Sequence, residues 1–229
     1  MQPQIQAATQ TSALGLAQHR VLRNTYMMLG LTMIPTVIGA VVGVNTNFSF
    51  LAANPIMGPL LMLAVMFGAM FGISALRNSV WGVVALLAFT FLMGWWLGPI
   101  LQVALGLSNG PQLIGMAAGT TGVVFFGLAT YVATTRRDFS FLGKFLFVGL
   151  IMLILGMVAN LFFQVPAASL TISAIAVVLM AGYMLYDVSD IVNGGETNYV
   201  MATLRVYIDI YIMFTHLLHL LMAFAGNRE

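Results

Sequence analysis

Seven runs of about 20 or more residues, each almost free of charge, restrict this chain to folds that a lipid bilayer can hold. The runs lie at about 24–44, 51–76, 80–105, 112–134, 142–164, 168–192 and 199–225, each long enough for a helix to cross roughly 30 Å of hydrocarbon. Lipid offers no partner to backbone N–H and C=O groups, so runs of this length must satisfy their own hydrogen bonds as helices. With 61% hydrophobic and 6% charged residues among 229, too little polar surface remains to cover a water-soluble core. The expected fold is therefore all-α, a polytopic integral membrane bundle of about seven transmembrane helices with no separate soluble domain.

The basic residues orient the bundle. Placing Arg20, Arg23, Arg77, Arg136, Arg137 and Lys144 on one side makes the amino terminus and the even-numbered loops cytoplasmic, and an odd number of spans puts the carboxyl terminus in the periplasm. A net charge of +2 gives no basis for nucleic-acid binding. The absence of cysteine rules out disulfides, thiol catalysis and thiolate metal sites. Residues 1–19 are rich in Gln and Ala, carry no Lys or Arg and lack a signal-peptide n-region. They read as a flexible cytoplasmic tail, with residues 20–229 as the transmembrane domain. Pro35, Pro59 and Pro99 predict kinks buried in the bundle. Gly115, Gly119, Gly122 and Gly127 in the fourth run predict close backbone approach.

Four of the six acidic residues lie between Tyr186 and Asp209. Taking the sixth run to end near Val192 and the seventh to start near Tyr199, Asp187 sits about 7 Å and Asp209 about 15 Å inside the cytoplasmic ends. Antiparallel neighbours bring such residues within a turn or two of each other. Carboxylates at that depth are costly unless paired or hydrated, which makes them candidates for a pH-sensitive latch or a cation site, calcium included. Two of them in contact would share a proton and titrate as a unit. The structural alternative is a salt bridge from Arg205, four residues before Asp209 on the same helix face, or from Arg77 at the end of the second run. Asp190, near the interface, and Glu196, in the turn Asn193–Asn198, read as solvated charges.

Arg205, Asp209, His216 and His219 fall on one face of the seventh run, with Ile212 in the gap. Such a stripe suggests a cation or proton path, or else histidines bonded to neighbouring helices. The His-x-x-His pair has no carboxylate at ligand spacing and is a poor metal signature. No phosphate-binding loop, zinc-protease motif or nucleophile elbow occurs, so neither an enzyme nor a bound cofactor is expected.

Tyr186-Asp187, Tyr207-Ile208-Asp209 and Arg136-Arg137-Asp138-Phe139-Ser140-Phe141-Leu142 resemble the Bax inhibitor-1 family, also called the transmembrane Bax inhibitor motif family, over nearly all of the chain after residue 19. Four further segments are similar to its Gram-negative inner-membrane branch: Leu22-Arg23-Asn24-Thr25-Tyr26, Gly98-Pro99-Ile100-Leu101, Gly156-Met157-Val158-Ala159-Asn160 and Gly194-Gly195-Glu196-Thr197-Asn198-Tyr199. The family resemblance implies a seven-helix bundle with a central helix and a pH-sensitive calcium leak. Its latch would be the aspartate pair matching Asp187 and Asp209, with an arginine that Arg77 matches in position. The branch resemblance implies a multi-pass protein of the bacterial inner membrane. It also implies a partner and slow substrate of the membrane protease FtsH, engaged partly through the amino-terminal tail.

Overall fold

The computed structural model describes the backbone of residues 2–49 and 56–226, and side chains within these from residue 19 to residue 225. The described residues form eight helices and no strand. These are α1 (Gln2–Val44), α2 (Met57–Leu76), α3 (Val80–Trp96), α4 (Gly98–Leu105), α5 (Gly110–Thr135), α6 (Leu142–Phe163), α7 (Pro166–Val192) and α8 (Tyr199–Gly226). Seven spans are long and apolar enough to cross a membrane, and α3 with α4 makes one of them, Val80–Leu105. The remaining six are His19–Val44, Met57–Leu76, Gly110–Thr135, Leu142–Phe163, Pro166–Val192 and Tyr199–Ala225. The start expected for the second run, near 51, lies outside the described residues.

α8 is the axis of the bundle, packing against α1, α2, α3, α4, α5 and α7. Its side chains Leu204, Met213 and Leu218 are fully enclosed, as is Met184 from α7. Large apolar side chains elsewhere face outward, among them Phe71, Val123, Phe163 and Val178, each more than 70% exposed. This inside-out distribution matches a bundle whose surroundings are hydrocarbon.

Local chemistry explains where the helices stop. Arg136 and Gln164 end α5 and α6 in the left-handed conformation, at φ 51° and 49°. Their N–H groups close on the carbonyls of Val132 and Asn160, both at 2.8 Å. Prolines stand in the first turn of α4, α5 and α7, where a missing N–H costs nothing. Pro99 thus marks a helix break at Leu97 rather than a kink, and Pro59 also lies in a first turn; only Pro35 sits deep inside a helix. Gln102 of α4 donates from Nε2 to the carbonyls of Val44 and Thr46, both at 2.8 Å, and so closes the end of α1. The helix of α1 reaches back to Gln2 through the segment read as a tail, while the apolar span begins at His19.

The glycine reading needs correction. A Cβ on Gly115, Gly119, Gly122 or Gly127 would meet nothing, because these residues line an open face of α5. The close approach lies between α1 and α3. There a Cβ on Gly39 would strike the backbone of Phe91, and one on Gly94 the backbone of Thr36. Backbone atoms cannot swing aside as a side-chain tip does, so α1 and α3 are held together by the absence of these two side chains. Gly94→Val should cost about 1–3 kcal/mol of stability through overpacking. Gly119→Val should be close to neutral. Thermal unfolding of the two variants in detergent micelles compares them directly, and equal losses would refute the assignment.

Candidate functional site

The site is built by the α7–α8 hairpin. Six residues, Asn193 to Asn198, join the two helices. Gly194 takes φ 82°, a conformation that disfavours side chains, and lets the chain reverse. The Gly195 N–H then bonds the Asp190 carbonyl at 2.8 Å. Asn198 starts α8, its Oδ1 accepting from the N–H groups of Val200 at 3.0 Å and Met201 at 3.1 Å. Its Nδ2 donates to the Arg77 carbonyl and to Asn78 Oδ1, both at 3.0 Å, which fastens the hairpin to the end of α2.

Asp187 and Asp209 meet across this interface, as their depths in the sequence suggest. They are 6% and 5% exposed, and their carboxyl groups lie close enough to feel each other's charge. Two enclosed carboxylates at such a contact repel each other unless a proton or a cation comes between them. Among the described residues no hydrogen-bond partner reaches the enclosed Oδ2 of Asp209. Tyr183, half-buried on α7, lies within electrostatic reach of both acids, and Arg205 is the positive charge nearest to them.

Arg205 does not neutralise Asp209 directly. Its Nη1 binds Asp190 Oδ2 and its Nη2 binds Glu196 Oε2, both at 3.0 Å. The reversal at Gly194 folds Glu196 back over α8, and Asp190 stands one turn above Asp187 on the same face of α7. Both acids thereby become the two arms of a clamp on Arg205 instead of solvated charges. Glu196 also accepts the Asn198 N–H at 2.9 Å through its second oxygen. Arg77 is exposed and makes no ion pair among the described residues; its backbone carbonyl, rather than its guanidinium, serves the hairpin.

The remaining polar residues of the stripe form a separate layer. His216 Nδ1 and His219 Nδ1 both bond Ser173 Oγ on α7, at 3.0 and 2.9 Å. Ser173 lies fourteen residues before Asp187, about 21 Å along the helix. Met180 and Met184 of α7 and Met213 of α8, all buried, lie between. The stripe is thus two polar layers with methionine between them, not one continuous path.

One polar node escaped the sequence reading. On the opposite face of α8, the Tyr207 hydroxyl lies 2.9 Å from Thr36 Oγ1 of α1 and donates to the Thr90 carbonyl of α3 at 3.3 Å. Tyr207 is 1% exposed and stacks on Tyr211. A tyrosine two residues from a buried aspartate on a helix must face the other way, and that spacing was the available signal.

The clamp predicts an asymmetric pair of outcomes. Arg205→Met leaves Glu196 enclosed without its partner and should destabilise the protein by about 1–3 kcal/mol, the cost of an unsatisfied buried polar group. In the double variant Arg205→Met/Glu196→Gln most of that loss should return. A double-mutant cycle of thermal unfolding tests this; additive losses would show that the clamp contributes nothing.

Comparison with known proteins identifies the relatives of this bundle. A family model described as inhibitor of apoptosis-promoting Bax1 matches residues 18–226. The modulator of FtsH protease YccA from Escherichia coli (strain K12) is 42% identical over 206 residues, covering 90% of this chain and 91% of that protein. A membrane protein of Vibrio cholerae is 39% identical over 221 residues, 96% of this chain and 97% of the relative. A Pseudomonas aeruginosa protein is 41% identical over 207 residues, 90% of each. With nearly the whole membrane region matched and the two aspartates paired at its centre, the chain belongs to the Bax inhibitor-1 family.

Proposed function

We propose that this chain is a proton-sensitive cation leak of the bacterial inner membrane, with Asp187 and Asp209 as its latch. Calcium is the cation that the family resemblance implies. The observation that carries the reading is the apposition of two buried carboxyl groups inside an apolar bundle. While one proton is shared between them, a hydrogen bond ties α7 to α8. When it leaves, two like charges face each other at low dielectric and repel, or they accept a hard cation through oxygen ligands. The buried methionine layer between the aspartates and Ser173 is then the apolar barrier that the change must open. The amino terminus is cytoplasmic in this reading and the carboxyl terminus periplasmic, with no catalysis involved.

Calcium flux into proteoliposomes across a pH series tests the latch. Wild-type flux should change with pH, whereas Asp187→Asn and Asp209→Asn should each flatten that dependence. A pH response identical in all three proteins would overturn the reading.

A second reading is favoured by one comparison, the 42% identity to a protein named as a modulator of FtsH protease. Here the chain engages that membrane protease partly through residues 1–19, and the aspartates are dispensable for it. Removing residues 2–18 should abolish engagement, read as the loss both of slow turnover of this chain and of any protection of other FtsH substrates. Unchanged turnover and protection would refute the tail as the handle. The two functions use different parts of the chain and are compatible.

A further inference from the structure

The loop between α5 and α6 and the first turn of α6 together carry three cations in nine residues, Arg136, Arg137 and Lys144, and all three side chains are exposed. Among the described residues none of them forms an ion pair. The acids nearby are already committed: Asp187 to Asp209, and Asp190 and Glu196 to Arg205. Asp138, within the loop, turns its Oδ1 to the Ser140 N–H at 2.8 Å and offsets one of the three charges. A net positive segment therefore stands at the end of two spans, and among the described residues no further acid pairs with it.

The loop is also held in place. The Arg137 carbonyl accepts from Ser189 Oγ at 3.1 Å, and the Phe139 N–H donates to the same oxygen at 2.9 Å. Arg136 is fixed in the left-handed conformation by its bond to Val132. At the other end, Gly143 lies so close to the Tyr186 ring that a side chain there would press on it. Both ends of the loop are thus seated on α7. Beside the cations stand Phe141 and Phe145, each 72% exposed, at the level where a span meets the headgroup region. Exposed cations and exposed aromatic rings side by side on a seated backbone at a span end match the two parts of one molecule, an anionic headgroup and its acyl chains.

We propose that Arg136, Arg137 and Lys144 bind the phosphate of an anionic phospholipid, whose acyl chains lie against Phe141 and Phe145. The site is independent of the leak reading. It would nonetheless bear on the aspartates, because Tyr186 and Ser189, which seat the loop, flank Asp187 on α7.

Native mass spectrometry of the purified full chain, titrated with phosphatidylglycerol and separately with phosphatidylcholine, tests the proposal. Phosphatidylglycerol should bind at least tenfold more tightly than phosphatidylcholine. The variant R136Q/R137Q/K144Q should lose that preference, whereas R20Q/R23Q, which removes two exposed cations elsewhere, should keep it. The single variants Arg137→Gln and Lys144→Gln, at exposed positions, give partial losses if the triple variant fails to fold. An equal loss in R20Q/R23Q would reduce the effect to general surface charge and overturn the site. So would equal binding of the two lipids, unchanged binding in the single variants, or displacement by millimolar inorganic phosphate.

Discussion

The apposition of the buried Asp187 and Asp209 sets the terms for the rest of the bundle, because a carboxyl at that depth has no water on which to fall back. Holding it requires α7 and α8 to be antiparallel neighbours in one register. The other pairs across the interface keep that register: Asp190 with Arg205 toward one end, Ser173 with His216 and His219 toward the other. A six-residue connection that reverses at Gly194 is what makes the register attainable. A longer or looser loop would let α8 slide, and every one of these pairs would be lost together.

α8 meets its neighbours with two different chemistries. Toward α7 it presents groups that carry or exchange protons: Arg205, Asp209, His216 and His219. Toward α1 and α3 it presents hydroxyls, with Tyr207 bonded to Thr36 and Thr90, and Thr203 Oγ1 reaching the Thr25 carbonyl of α1 at 3.5 Å. Hydroxyl networks are satisfied at any pH in the neutral range, and the α1–α3 pair behind them is locked by Gly39 and Gly94. A change of charge at the aspartates therefore acts on the α7 side, where the bonds depend on protons and charges.

The bilayer made the fold legible. Its thickness sets the length of each apolar run, so the seven spans and the depths of Asp187 and Asp209 could be read before any contact was known. What stayed hidden was facing and loop path. Gly119 and Gly94 are equally small in the sequence, yet one looks into open space and the other onto the Thr36 backbone, since helix periodicity is silent in a run that is apolar all round. Glu196 and Asp190 read as solvated because nothing in the hydropathy shows that Gly194 folds the turn over Arg205. Ser173, unremarkable in an apolar run, became informative only once His216 and His219 were seen to share it.

The charges of this protein are graded by depth, and the grading follows from the falling dielectric. Arg77, Arg136, Arg137 and Lys144 stand outermost, exposed and without ion pairs among the described residues, where water and headgroups stabilise them. Arg205, with its side chain 36% exposed, already requires two carboxylates. One turn deeper no cationic side chain stands among the described residues, and the two acids face each other. Deeper still come methionines, and then imidazole–hydroxyl bonds at Ser173. Among the described residues the Asp187–Asp209 pair is thus the deepest point from the loop side at which carboxylate oxygens stand on this interface, and beyond it only neutral side chains and the two histidines remain.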